Sequence, residues 1–122
     1  MSLIGKKLCA MTACATMLIV TGCKSYWINA TVENHTGQPV HELEVDYPTA
    51  SFGVNLLTPE TPMHYRFQIR GSGAVKVEYT SSDGKTSHAQ GLILKEHQHG
   101  DLVIRLLPAG KVEFSPALQP AS

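Results

Sequence analysis

The stretch that decides the fold is MHYRFQIR, residues 63–70, in which apolar and polar side chains alternate without interruption. This period of two predicts a half-buried β-strand, because successive side chains of a strand point to opposite faces of its sheet. The same alternation recurs at residues 28–32, 43–47 and 75–79, and shorter apolar stretches occur at 52–57, 86–94, 102–106 and 111–114. No segment places apolar residues at helical spacing over two turns. The sequence therefore predicts an all-β chain.

Turn-forming residues separate these segments. Residues 34–39 and 58–62 are rich in Asn, Gly, Thr and Pro, and Asp83-Gly84 is a strong hairpin signal because this pair tolerates positive φ. Gly91 interrupts its strand and is a candidate β-bulge. Seven or eight short strands at this spacing predict an Ig-like two-sheet antiparallel sandwich.

The N-terminus has a different pattern. Lys6 and Lys7 precede an apolar run that ends at Val20, followed by the small residues Thr21 and Gly22. This is the layout of a secretory signal peptide. The alternative is a transmembrane helix, which needs about 20 apolar residues. The run to Gly22 has about 15 residues and would reach roughly 22 Å as a helix, so its length favours a cleaved leader.

The sequence Val20-Thr21-Gly22-Cys23 resembles the cleavage site of bacterial lipoprotein signal peptides, which have an aliphatic residue, a small residue, Gly or Ala, and then Cys. The resemblance implies a diacylglycerol thioether on Cys23, removal of residues 1–22, and acylation, as with palmitate, of the new amine. Two or more acyl chains hold a protein stably on a membrane. Lys24, where an Asp would favour the inner membrane, favours the outer membrane, facing the periplasm.

The predicted organisation is a signal peptide at residues 1–22, a lipidated anchor at 23–25, a β-sandwich domain at 26–114 and a flexible tail at 115–122. Cys9 and Cys14 leave with the leader, so the mature chain keeps only Cys23 and cannot form an internal disulfide. It also keeps eight basic residues against ten acidic ones and has no basic stripe. These charges exclude nucleic acid as an expected partner.

The mature chain is similar to small uncharacterised exported bacterial domains with Ig-like sandwiches. The similarity is carried by Val32-Glu33-Asn34-His35-Thr36-Gly37 and by residues 45–53 and 73–85. These are turn and core residues, so the resemblance implies a fold and brings no catalytic residues.

The best metal-ligand candidates are His97 and His99. In an extended chain their imidazoles would share one face about 7 Å apart, and Glu96 or Asp101 could add an oxygen ligand. Zinc and copper sites use three or four ligands, so the alternative of a solvated turn is favoured and no cofactor is expected.

The remaining histidines, His35, His41, His64 and His88, are dispersed along the chain. A lone histidine is more often structural than catalytic. The alternation places His41 on the apolar face with Leu43 and Val45, and it places His64 in solvent.

No enzyme signature is visible in the sequence. Gly71-Ser72-Gly73 lies between two predicted strands and is typical of a turn rather than a nucleophile elbow. Glu42, Glu44 and Asp46 form the polar face of one strand, whereas paired catalytic carboxylates need a cleft. We therefore expect a protein that is not an enzyme.

Three functions fit these observations. The leading one is a lipid-anchored envelope protein that serves as a non-catalytic interaction or structural module, with an envelope protein as partner. The second is a periplasmic metal-binding protein using His97 and His99, and the third is an inhibitor or immunity-type lipoprotein that acts through a loop at residues 48–53. The basic residues Arg66, Arg70 and Lys76 either recognise an anionic envelope polymer or are solvated strand faces.

Overall fold

The computed structural model describes residues 26–120, which form eight β-strands and one short 3-10 helix at Pro108–Gly110. The predicted signal peptide and Cys23 lie outside the described residues. The strands are β1 Ile28–Asn34, β2 Val40–Tyr47, β3 Ala50–Leu57, β4 Met63–Phe67, β5 Gly73–Thr80, β6 Thr86–Leu94, β7 His99–Leu106 and β8 Val112–Gln119.

The strands form two four-stranded sheets, which confirms the predicted two-sheet β-sandwich. The first sheet has the order β4-β1-β7-β8 and the second the order β3-β2-β5-β6. All neighbouring pairs are antiparallel except β1 and β7, which run parallel over their whole length. A parallel pair needs a long crossover connection, and β2 to β6 supply it here.

The core lies between the sheets and consists of seventeen buried apolar side chains. The alternation at residues 28–32 and 75–79 is confirmed, because the apolar residues of both segments are buried and their polar neighbours are more exposed. The core residues are Ile28, Ala30, Val32, Val40, Leu43, Val45, Phe52, Leu57, Phe67, Ile69, Val75, Val77, Tyr79, Leu94, Leu102, Ile104 and Leu106.

At residues 63–70 the alternation between buried and exposed side chains is less regular than the sequence predicts. β4 ends at Phe67, and although Phe67 and Ile69 are buried, Tyr65 is 42% exposed. β4 is an edge strand, so Tyr65 leaves the core and stacks on Phe52 of the other sheet, with ring centroids 4.4 Å apart. Tyr47 and Phe67 extend this aromatic contact, at 4.2 Å between their centroids. The cluster joins the two sheets along one open side.

The prediction that His41 shares the apolar face of β2 is wrong. A bulge between His41 and Glu44 inserts one extra residue relative to β5, and Glu42 has a φ of 52°. The extra residue turns His41 into solvent while Val40 and Leu43 both stay buried.

The predicted flexible tail from residue 115 is also wrong as far as residue 119. β8 pairs with β7 from Val112 to Gln119. Pro116 within this strand is compatible with pairing because β8 lies at a sheet edge, where the missing N–H is not needed by a further neighbour.

Two predicted local features of β5 and β6 are confirmed. Asp83-Gly84 lies in the connection of the β5–β6 hairpin, and Gly84 has a φ of 87°. A bulge also lies beside Gly91, with Leu92 as the extra residue. A Cβ at Gly91 would lie 3.0 Å from the Phe114 ring, so glycine allows β8 of the first sheet to approach.

The sandwich has two distinct ends. The Trp27 end comprises Tyr26, Trp27 and the turns at residues 48–49, 68–72 and 95–98. The Asn34 end comprises the turns at residues 35–39, 58–62, 81–85 and 107–111.

Candidate functional site

The two metal-ligand candidates lie at the Trp27 end, against one tyrosine. The Tyr26 ring stacks on His97 with centroids 5.0 Å apart and lies tilted against His99 at 5.5 Å. His97 occupies the turn with a φ of 66°, and His99 is the first residue of β7. The buried Nδ1 of His99 has no hydrogen-bond partner among the described residues. Residues 26–120 contain no group of three His, Cys, Asp or Glu side chains placed to hold a metal ion.

The turn that carries His97 is held by hydrogen bonds between backbone N–H groups and side-chain oxygens. The Lys95 N–H donates to the Gln98 side-chain oxygen at 2.8 Å. Glu96 is linked to the neighbouring turn twice: its N–H donates to Ser72 Oγ at 3.1 Å, and its carboxylate accepts from the Gly71 N–H at 2.9 Å. Ser72 therefore sits in a turn and its hydroxyl accepts a structural hydrogen bond. The carboxylate of Glu96 serves the same contact, so this potential oxygen ligand already has a partner.

A tryptophan and an arginine stack beside this turn. The Arg66 guanidinium carbon lies 4.3 Å from the Trp27 ring centroid, a cation–π contact. Trp27 is half-buried and Arg66 is exposed. The Trp27 carbonyl accepts a hydrogen bond from the Gly100 N–H at 3.0 Å, which holds the Trp27 backbone next to the start of β7.

The Asn34 end is organised around one buried amide. Asn34 is 4% exposed, and its Nδ2 donates to the carbonyls of Gln38 and Leu57 at 2.7 and 2.9 Å. Its Oδ1 accepts from the Thr36 N–H and hydroxyl at 2.9 and 2.7 Å. One side chain thus connects the end of β1 to the end of β3, across the two sheets.

A groove of about 240 Å³ opens at the Asn34 end. It is lined by polar side chains of two turns, Gln38, Ser82 and Asp83 among them, and by the 3-10 helix Pro108–Gly110. Sequence reasoning did not find this groove. The available signal was the clustering of turn-formers at residues 34–39 and 81–85, but their proximity depends on the sheet topology.

The acidic residues of β2 lie on the outer face of the second sheet. Asp46 is in register with Lys76 on β5, whereas Glu44 is in register with Glu78. His88 Nδ1 lies 3.4 Å from the Glu78 carboxylate. The face therefore carries both signs of charge.

The basic residues Arg66, Arg70 and Lys76 do not form one patch. Arg66 is on β4 of the first sheet, Arg70 is in the turn at residues 68–72, and Lys76 is on β5 of the second sheet. The only pair among them that shares an end of the sandwich is Arg66 with Arg70.

An ion-pair network crosses the outer face of the first sheet. Arg105 donates to Glu33 at 3.2 Å, to Glu113 at 2.8 Å and to Ser115 at 2.9 Å. His35 lies 3.0 Å from the same Glu33 carboxylate. The hydrogen bond with His35, together with the Arg105 charge, lowers the pKa of Glu33 below 4.5 despite partial desolvation. This network joins three strands and the first turn.

The other two histidines are exposed, as predicted for His64. His64 Nδ1 lies 3.1 Å from Thr31 Oγ1, and His88 contacts Glu78. The structure brings neither of them near His97 and His99, since they lie on β4 and β6.

The loop predicted at residues 48–53 is a tight hairpin turn. Tyr47 pairs with Ala50, so only Pro48 and Thr49 connect β2 to β3. A Cβ at Gly73 would lie 3.2 Å from the Pro48 ring, which shows how closely this turn packs on β5. Residues 50–53, predicted as part of the loop, belong to β3.

Comparison with known proteins shows the fold alone. No family model and no curated protein matches this chain. Among solved structures, it is similar to a protein from Eubacterium rectale determined by NMR, with 19% identity, a TM-score of 0.52, and coverage of 79% of this chain and 95% of that one. Within residues 26–120, the chain forms no helix with the length and apolarity needed to cross a membrane.

Proposed function

We propose that this protein is a lipid-anchored protein of the bacterial cell envelope whose single β-sandwich works by contact with a partner rather than by catalysis. The observation that carries the proposal is Val20-Thr21-Gly22-Cys23, which ends three residues before Tyr26 at the start of the Trp27 end. Two or more acyl chains on Cys23 would keep the domain on the membrane. Lys24 supports the outer membrane, facing the periplasm, as its location.

Mass spectrometry of the protein purified from membranes tests the anchor. We expect a chain that begins at Cys23 and carries diacylglycerol on its sulfur. The variant Cys23→Ser should keep its leader, whereas the matched variant Cys14→Ser should be processed normally. An unmodified Cys23 sulfur or an intact leader in the native protein would contradict the proposal.

The groove at the Asn34 end is the surface that we propose for the partner, because it opens at the end opposite the anchor. Cross-linking of the anchored protein in membranes, followed by mass spectrometry, should identify the partner. The variant Gln38→Arg in the groove should abolish the cross-link. The control Gln90→Arg, on the outer face of the second sheet, should leave it intact. Equal cross-linking of both variants would argue against this surface.

A second candidate function is metal binding at the Trp27 end. It is favoured by the two imidazoles that share the Tyr26 ring and by the unpartnered Nδ1 of His99. Titration with copper or zinc should then show stoichiometric binding that is lost in His97→Ala and in His99→Ala and kept in His88→Ala. Binding that survives both of the first two variants, or no binding at all, would refute this candidate.

A further inference from the structure

The Trp27 end exposes aromatic side chains next to the predicted lipid site. Tyr26 and Trp27 are both half-buried and directly precede β1, and the indole lies under the Arg66 guanidinium. Tyr and Trp are enriched at membrane–water interfaces because each ring has an apolar body and a polar tip. An arginine stacked on such a ring keeps its outward N–H groups available to phosphate oxygens.

The charges of the two ends differ. The Trp27 end carries exposed Arg66, Arg70 and Lys95 against Glu96 and Asp101, and the nearby Asp46 lies in register with the basic Lys76. Lys24 adds a further positive charge just upstream. At the Asn34 end three basic residues stand against four acidic ones, namely Lys85, Arg105 and Lys111 against Glu33, Glu60, Asp83 and Glu113. An anionic surface therefore attracts the Trp27 end more strongly.

The chain between lipid and sandwich is short. Only Lys24 and Ser25 separate Cys23 from Tyr26. Even fully extended, these three steps reach at most about 11 Å. The headgroup layer of one leaflet is roughly 5–8 Å thick. When the acyl chains on Cys23 lie in the bilayer, Tyr26 and Trp27 are therefore within reach of the headgroup layer.

We propose that the Trp27 end lies in the headgroup layer and binds anionic phospholipid headgroups, so that the sandwich stands end-on with its Asn34 end directed away from the membrane. This inference rests on the proposed lipid anchor at Cys23. The Trp27 end is preorganised for such contact, because two hydrogen bonds of Glu96 join the turns at residues 68–72 and 95–98. Binding therefore needs little further ordering of the backbone.

The tryptophan itself reports on this arrangement, because Trp27 is the only tryptophan in the chain. The lipidated protein is reconstituted into phosphatidylcholine vesicles with and without phosphatidylglycerol. We expect lipids brominated near the headgroup to quench Trp27, and aqueous acrylamide to quench it weakly. Phosphatidylglycerol should strengthen the bromolipid quenching and high salt should reduce it. Full quenching by acrylamide with none by bromolipid would overturn the inference, and so would insensitivity to phosphatidylglycerol.

A matched pair of variants tests the orientation. Lys95→Gln removes a charge at the Trp27 end and should lower the ratio of docked to undocked protein about fivefold, since each basic side chain near an anionic surface contributes about 1 kcal/mol. Lys85→Gln removes the same charge at the Asn34 end and should change nothing. Equal effects of the two variants would refute end-on docking.

Flotation of the same vesicles separates the two proposals. Protein that floats with the vesicles while Trp27 stays open to acrylamide would refute the docking and leave the anchor standing. Protein that has no lipid on Cys23 and does not float would refute the anchor, and the docking with it.

Discussion

Replacing Asn34 by alanine should be one of the most damaging single changes in the domain. The substitution removes four hydrogen bonds, two donated by Nδ2 and two accepted by Oδ1. The buried Leu57 carbonyl is left without this donor, which costs about 2 kcal/mol. The three part-buried bonds are partly replaced by water and cost about 0.5 kcal/mol each. The expected loss is therefore roughly 3–4 kcal/mol of the free energy of unfolding.

Urea and thermal unfolding followed by Trp27 fluorescence measure this loss. For a domain of this size, about 1 kcal/mol corresponds to about 4–8 °C in Tm, so Asn34→Ala should lower the Tm by roughly 15 °C or more. Asn34→Asp should be destabilising as well at neutral pH, because a carboxylate would face two carbonyl oxygens. The matched control Asn55→Ala, at an exposed position of β3, should stay within about 0.5 kcal/mol of the wild type. If Asn34→Ala and Asn55→Ala unfolded at the same urea concentration, the amide would not connect the sheets as argued.

Three further changes should alter stability in defined ways. Gly53→Ala should destabilise the domain by about 1–3 kcal/mol in urea unfolding, because its Cβ would collide with the Leu43 carbonyl oxygen. An unchanged urea midpoint would contradict this expectation. The pKa of Glu33 is lowered in the folded protein, so its carboxylate contributes to the free energy of unfolding above pH 4.5, and this contribution is lost as the pH falls. Glu33→Gln should therefore lose less stability in acid than the wild type, and identical profiles of stability against pH would contradict this. Burial, and after it the neighbouring Tyr65, raises the pKa of Tyr47 above 10. The wild type should therefore lose stability relative to Tyr47→Phe as the pH rises beyond 10, and equal stability losses of the two proteins in alkali would refute the shift.

The fold was predictable from the sequence because strand alternation and turn residues depend only on residues that are close together in the chain. Alternation at residues 28–32 and 75–79 and the Asp83-Gly84 hairpin each depend on neighbours in the chain. The outward orientation of His41 was not predictable from the sequence, because the bulge at Glu42 shifts the alternation by one residue. The strand at residues 115–119 was hidden by Pro116, which only an edge position permits.

The candidate site was less predictable than the fold. The sequence indicated His97 and His99 as a pair of metal-ligand candidates because they are two residues apart, and this stays a prediction. It could not show that Tyr26 would lie against both rings, or that Arg66 would stack on Trp27. These contacts join segments that are distant along the chain, and only the strand order brings them together.

The parallel pairing of β1 with β7 has a consequence for the order in which the domain is assembled. β2 with β3 and β5 with β6 form hairpins whose connecting loops are short, so each of these two pairs can close early. β1 pairs with β7 only once Gly100, the partner of Ile28 and far from it along the chain, has been synthesised. Until then, one half of the apolar interior is open to water, and the partly folded chain is prone to aggregation.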